Sequence, residues 1–326
     1  MARDINSATT HAKVTKIAFD ASGGADYQPS DPSSNFHPYD TSTLSFGLSG
    51  SSPARVRIIR MIEWVTGKIT LLKIVRDFDR TGRKFEGNFW EKVLELLDIS
   101  IKTPDVAIEK IPATGPLVVV ANHPWGFVDG LVLANLVAHV RPDFKILTRS
   151  FFATLPEIDG AMVPVAFPHD ENAVIHNIAM RKQVMEYLSN GGAVILFPAG
   201  RCATAKRLFG KAIEHEWNPF TAKIIMRSKA RVVCVYFTGQ NGALFQFVQH
   251  FSATVRQALM MHEIWRKIGK PVEPQIAPVM ERDEIDPWKQ KPKEFLEFLR
   301  WRTLEMERDS PFGIRISKTQ RGPTPD

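Results

Sequence analysis

From about residue 89 onward, the apolar residues of this chain switch repeatedly between helical spacing and short β-branched runs. Phe89 to Leu97 carries the period of a helix, and Ile99 to Ile108 alternates as an edge strand would. Leu117-Val118-Val119-Val120-Ala121, bounded by Gly115-Pro116, is a continuous apolar run that predicts a strand buried on both faces. Gly130 to His139 then reads as a helix, Phe144 to Leu147 as a strand, and Ala173 to Asn190 as a helix closed by Gly191-Gly192. Ala193 to Phe197 predicts a strand, Pro219 to Lys229 a helix, and Arg231 to Phe237 another core strand. Ser252 to Ile268 is amphipathic, Pro271 to Met280 reads as an outer strand, and Pro292 to Arg308 as a closing helix. Such alternation predicts an α/β fold, with a largely parallel central sheet flanked by helices.

Amphipathic N-terminal helices precede that region. Arg55 to Phe78 places apolar residues at helical spacing with mostly cationic polar positions, as one basic helix or as a pair broken at Gly67. Six Lys/Arg outnumber Glu63 and Asp77 by four. At about 1 kcal/mol per basic residue near an anionic bilayer, the electrostatic attraction reaches roughly 4 kcal/mol. Either the Ile/Leu/Trp face packs on the core with the cations solvated, or the helix lies on a membrane; one face can serve both. Residues 1–50, rich in Ser, Thr, Asp, Gly and Pro, predict a disordered or loosely attached arm. The expected division is therefore arm (1–50), basic amphipathic membrane-associating region (51–98), α/β domain (99–308) and flexible tail (309–326).

Composition narrows the setting. With 326 residues, 44% hydrophobic and 24% charged, the chain can bury a sizeable core. Cys202 and Cys234 offer neither a disulfide framework nor metal-ligand spacing, so a reducing cytoplasm is the expected compartment. No charged-then-apolar leader opens the sequence. The long apolar stretch from Leu117 to Val140 is broken by Asn122, His123, Asp129 and His139, so no transmembrane span is expected. A formal charge of +7 suits an anionic partner, nucleic acid or membrane. The basic residues are spread among Ile, Leu and Trp on helices without a nucleic-acid reading motif, which disfavours the former.

Candidate chemistry sits at strand ends, where open α/β sheets bind ligands. Asn122 and His123 follow the strand 117–121, and Asp129 lies near the start of the next helix. On one continuous helix, six residues at about 100° each would put His123 and Asp129 on different faces. They meet only if His123 belongs to a turn, which Pro124 and Gly126 favour. A neutral imidazole with one nitrogen held by a carboxylate can act as a general base; the ordinary alternative is a loop histidine and a helix cap. The second strand end, Phe197-Pro198-Ala199-Gly200-Arg201, presents a fixed cation after a Pro/Gly turn, with Lys206, Arg207 and Lys211 beyond. Gly200 to Lys206 is not a triphosphate-binding loop, since Ala205 stands where Gly is required before the Lys and Arg207 where Ser/Thr is required. A metal site built from His123, Asp129, His169 and Asp170 would need a convergence that spacing does not show.

Taken together, Asn122-His123-(five residues)-Asp129, Phe197-Pro198-Ala199-Gly200 about 75 residues later, and the strand Val232 to Phe237 resemble the glycerolipid/lysophospholipid acyltransferase family, from about residue 100 to 280. Family members carry His and Asp separated by four residues and a Phe-Pro-Glu-Gly-Thr-Arg block. Here five residues intervene, Ala199 replaces the Glu, and Arg201 stands one place early. These departures are similar to the hemolysin-like or ornithine-lipid-type O-acyltransferase subgroup, in which His-Pro-x-Gly-x-x-Asp is paired with Phe-Pro-Ala-Gly. Trp217-Asn-Pro-Phe220 and Gly239-Gln-Asn241 with Leu244-Phe245 look like that subgroup's later blocks.

The resemblance implies a membrane-associated enzyme that moves a fatty acyl group from an acyl carrier protein or coenzyme A thioester to the hydroxyl of a lyso-lipid, without metal or bound cofactor. His123 would take the hydroxyl proton, Asp129 would support it, and backbone N–H groups near Gly126 would stabilise the oxyanion. Asn122, Phe197, Pro198, Gly200 and Arg201 would complete the substrate-binding set. The family's second block corresponds to Lys145 to Pro164, where an acceptor-binding Arg is usual near the end; Val163-Pro164-Val165 offers none, leaving Arg149 or Lys145 as substitutes. That favours a lyso-aminoacyl lipid such as lyso-ornithine lipid over lysophosphatidate. A 1-acylglycerol-3-phosphate acyltransferase and a non-catalytic lipid-binding or membrane-tethering protein are the alternatives. The implied location is cytoplasmic, peripheral on the inner face of the cytoplasmic membrane at an anionic surface.

Overall fold

Branched apolar residues at the middle of the chain make its central strands. In the computed structural model these are β1 (Leu117–Ala121), β2 (Phe144–Thr148), β3 (Met162–Pro164), β4 (Ala193–Leu196), a short hairpin of β5 (Thr204–Ala205) and β6 (Ala212–Ile213), then β7 (Arg231–Tyr236) and β8 (Gln275–Ile276). The helices are α1 (Pro53–Glu63), α2 (Ile69–Arg80), α3 (Phe89–Leu96), α4 (Asp105–Ile108), α5 (Phe127–Val140), α6 (Ala173–Ser189), α7 (Pro219–Arg227), α8 (Ala243–Val248), α9 (Ala253–Lys267), α10 (Arg282–Ile285) and α11 (Pro292–Glu305). The structure describes residues 53–80, 88–148, 158, 160–166, 172–208 and 210–309, with Ser45 and Thr324. The arm over 1–50 therefore lies outside the described residues apart from Ser45, as does most of the tail.

Six strands form one sheet in the order β3-β2-β4-β1-β7-β8. All neighbours are parallel except β7 and β8. β1 lies between β4 and β7, with Val120 level with Leu196 and Cys234. Its side chains alternate between two cores. Leu117, Val119 and Ala121 pack with α3 and α5, and Val118 and Val120 with α6, α7 and α11. A strand covered on both faces has no reason to carry polar residues, which is why β1 is uniformly apolar.

Two edge expectations are corrected. Ile99 to Ile108 is not a strand: it forms a single parallel bridge from Ile101 to Val272 and then the helical turn α4. Pro104 lacks an N–H for a ladder and instead caps that turn, with Asp105 in its first position. Pro271 to Met280 contributes only the two residues of β8 and a bridge from Met280 to Val232.

The N-terminal helices do break at Gly67, whose φ of 137° is closed to side-chain-bearing residues. A Cβ there would also lie 2.8 Å from the Cβ of Trp265 on α9. His262 Nδ1 sits 2.8 Å from the Thr66 carbonyl, and Arg55 donates to Gln257 at 3.4 Å, so α1 and its kink rest on α9. Ile59 and Glu63 are the buried residues of α1; Ile58, Met61, Trp64, Val65 and Ile69 face solvent.

Candidate active site

The turn from β1 into α5 gathers the first group of polar residues. Asn122, buried at the end of β1, clasps the end of β7: its Nδ2 donates to the Phe237 carbonyl at 2.9 Å and its Oδ1 accepts from the Phe237 N–H at 2.7 Å. Only an amide matches a peptide group in both directions, so this residue fixes the two strand ends rather than touching a ligand. His123 follows, outside the helix, as the turn requires. Pro124, Trp125 and Gly126 lead into α5, which begins at Phe127 rather than Gly130 and has Gly126 as its N-cap with φ of 83°. A Cβ at Gly126 would come within 2.6 Å of Met260 Cε and 2.9 Å of Cys202 Sγ.

Asp129, one turn into α5 and fully buried, brings Oδ2 within 3.2 Å of His123 Nδ1. The same oxygen accepts the Trp125 N–H at 2.8 Å and the Gly126 N–H at 3.0 Å. The expectation that the Gly126 N–H is free to bind an oxyanion is therefore corrected, because it holds the carboxylate. Burial raises the Asp129 pKa, opposed by His123 and the two N–H donors. The His123 ring stacks on Phe197 from the neighbouring strand end, with centroids 4.1 Å apart and planes at 28°. Its Nε2 has no partner among the described residues, which leaves a general-base nitrogen available to an incoming hydroxyl.

A second buried carboxylate supports the histidine from behind. Glu214 Oε2 accepts the His123 backbone N–H at 3.1 Å, and Oε1 accepts the Trp217 indole N–H at 3.1 Å. Burial raises its pKa as well. The His123 carbonyl in turn accepts from the Ala203 N–H at 2.8 Å, tying the turn to the segment that leads into the β5–β6 hairpin. Cys202 lies beside this turn, and burial, with Asp129 and Glu214 adding to it, pushes its thiol up to about 12. It stays protonated at neutral pH.

A family model described as "Acyltransferase" matches residues 89–268, more than half of the chain. The chain belongs to this acyltransferase family. Among curated relatives, the lyso-glycine lipid O-acyltransferases of Phocaeicola vulgatus and Bacteroides thetaiotaomicron are 24% and 27% identical over 159 residues, 48% of this chain. Those residues make up 54% and 55% of the two relatives, so the chain spans about half of their length. The crystal structure of the 1-acyl-sn-glycerophosphate acyltransferase PlsC from Thermotoga maritima aligns over 81% of this chain and 83% of its own, at 16% identity and a TM-score of 0.43.

In this member of the family the second motif surrounds the first only in part. Phe197 covers His123, Pro198 is buried with its carbonyl accepting the Asn218 N–H at 2.9 Å, and Gly200 turns the chain with φ of 66°. Arg201 then stands exposed and makes no ion pair among the described residues. The His215 pKa is lowered by its burial and by the nearby charges of Arg201, Arg256 and Arg300, so this side of the site is strongly cationic. Lys145 is not brought to it. Its level on the sheet matches Val194, three residues before Phe197, or about 10 Å down the strands, and its ammonium instead reaches the Gly160 carbonyl and the Tyr187 ring. Arg149, His169 and Asp170 lie outside the described residues. Among the described residues no group of three His, Cys, Asp or Glu is placed to hold a metal ion.

The sequence reading missed Glu214 and Lys267, placed Trp217 only in a later block without a role, and gave Trp125 no role. The pattern Glu214-His215-Glu216-Trp217, acidic and aromatic in a segment otherwise basic, was the available signal.

Proposed function

We propose that this protein transfers a fatty acyl group from an acyl thioester to the hydroxyl of a lyso-lipid. The observation that carries the reading is the 3.2 Å approach of His123 Nδ1 to the buried Asp129, with Nε2 left open at a strand end. In the proposed step, Nε2 takes the proton of the acceptor hydroxyl as its oxygen bonds to the thioester carbonyl carbon. A tetrahedral oxyanion forms at that carbon. The carbon–sulfur bond then breaks, the thiolate takes the proton from His123, and an ester remains. The reaction needs no metal or bound cofactor, because base and nucleophile are both supplied. The donor is an acyl carrier protein or coenzyme A thioester.

A lyso-aminoacyl lipid is the preferred acceptor. Such a headgroup presents one carboxylate, which the exposed Arg201 can grip, and the named relatives act on a lyso-glycine lipid. No helix among the described residues is long and apolar enough to cross a membrane. The exposed Ile58, Met61, Trp64, Val65 and Ile69, set among Arg55, Arg57 and Arg60, would rest on an anionic bilayer, which for a cytoplasmic protein is the inner face of the cytoplasmic membrane.

The test supplies purified protein with acyl carrier protein or coenzyme A thioesters and with lyso-glycine lipid, lyso-ornithine lipid or lysophosphatidate, reading the diacyl product by mass spectrometry. Product from an aminoacyl acceptor, lost in H123A, is expected. Product from lysophosphatidate alone would reassign the acceptor. Vesicle binding without thioester consumption for any acceptor would leave a lipid-tethering protein.

A further inference from the structure

We infer that the β5–β6 hairpin and α8 together form a second membrane-contacting surface, separate from the N-terminal helices and adjoining the candidate active site. The two elements are held as one body. Gln246 Oε1 accepts the Ala205 N–H at 2.9 Å while its Nε2 donates to the Ala203 carbonyl at 3.4 Å. Gln249 donates to the Ala205 carbonyl, and Gln240 accepts the Ala212 N–H at 2.7 Å.

This body exposes large apolar side chains that a water-facing surface has no reason to carry. Leu208, Ile213, Leu244, Phe247 and Phe251 are between 38% and 67% exposed, and the two phenylalanine rings lie 4.9 Å apart. Beside them stand Lys206, Arg207 and Lys211, all exposed and making no ion pair among the described residues. The sequence holds no Asp or Glu from 201 to 213, and none from 239 to 262. Aromatic and branched apolar groups set among cations, with acids excluded, match the boundary of an anionic bilayer, where the rings insert and the cations meet lipid phosphates. An acidic protein partner would account for the cations but leaves the exposed rings unexplained.

The hairpin also begins at the site, since the Ala203 N–H donates to the His123 carbonyl. A bilayer seated on this surface would present a lipid hydroxyl close to the turn that carries the histidine. That consequence rests on the acyl-transfer reading; the membrane contact itself does not, and is measured without turnover.

The experiment is flotation of the full chain with vesicles of phosphatidylcholine alone or mixed with phosphatidylglycerol. K206Q/R207Q/K211Q is expected to weaken binding to the anionic vesicles by ~100-fold, at about 1 kcal/mol per charge, and to leave the weak binding to neutral vesicles unchanged. L244S/F251S is expected to lower binding to both by roughly 10-fold. Thermal melts establish that each variant is folded. If both folded variants float like wild type while M61S/W64S does not, the N-terminal helices alone hold the membrane and the inference is overturned. It is equally overturned if the charge variant keeps vesicle binding but loses capture of acyl carrier protein.

Discussion

The Lys267 ammonium lies 2.8 Å from the centre of the Trp125 ring, so the last turn of α9 closes over the turn that holds the His123–Asp129 pair. Trp125 is fixed on every side. Its backbone N–H donates to Asp129, its indole N–H donates to the Thr238 carbonyl at 3.0 Å, and its ring lies flush against Gly239. Asp129 is thus placed by a residue that is itself wedged between β7 and α9.

Gly239 shows how tight that wedge is. A Cβ there would lie 2.3 Å from Trp125 Cζ2, and the φ of 107° is unfavourable for any side chain. G239A is expected to cost roughly 1–3 kcal/mol of stability by overpacking. It should lower kcat by about 10-fold by shifting the turn, both read by denaturant titration and steady-state assay. A variant with wild-type stability and kcat would show that Trp125 has room to move.

Lys267 predicts a particular pH response. Burial, opposed by Asp129, brings its pKa down from the usual 10.5 to about 8. Between those values the unfolded chain holds this proton and the folded chain has released it, so the contribution of Lys267 to stability rises with pH across that window. The gain is on the order of 3 kcal/mol at most. Below pH 8 the buried ammonium is a penalty, partly offset by its contact with the indole. K267M should therefore lose the rise. Urea titrations of both proteins at pH 7.5 and pH 10 measure it, and equal pH slopes would contradict the assignment.

Asp129 carries the opposite sign. Its folded pKa lies above its unfolded one because of burial. The folded state keeps this proton longer, so the stability it contributes is present below the unfolded pKa and is lost as pH rises through the folded one. Above the folded pKa the ionised carboxylate is a cost to the fold. D129N preserves an acceptor for the Trp125 and Gly126 N–H groups while removing the charge. It is expected to melt at or above the wild-type temperature while kcat falls by about 10²–10⁴. Retained activity would remove Asp129 from the mechanism.

The residues that were legible in the sequence are those of one continuous strand-turn-helix segment. Asn122, His123, Gly126 and Asp129 lie within eight positions, and the apolar run before them fixed which way the strand ended. Phe197 was found because β4 is also a continuous apolar run that ends level with β1. Lys145 failed because its place on the sheet depends on the register of β2 against β4, which no local pattern encodes. The misread strand at Ile99 shows the same limit: alternation was present, but Pro104 and the lack of a partner beyond Val272 left one bridge. Glu214, Trp217 and Lys267 come from segments far along the chain and reach the histidine's turn, directly or through Glu214 and Trp125, only by tertiary packing.

Glu214 braces the site with a buried carboxylate. It acts on His123 through the backbone rather than through the ring. Both of its oxygens are acceptors in use, so Gln, with one acceptor and one donor, can satisfy either the His123 N–H or the Trp217 indole but not both. E214Q is therefore expected to lose about 1–3 kcal/mol for the donor left unpaired. E214A, which orphans both donors, should lose more. In each, the histidine stays in place chemically but its turn loosens, so kcat should fall by about 10-fold while KM changes little. A rise in KM at constant kcat would instead put Glu214 on the substrate, and the two outcomes separate in a single set of initial-rate measurements.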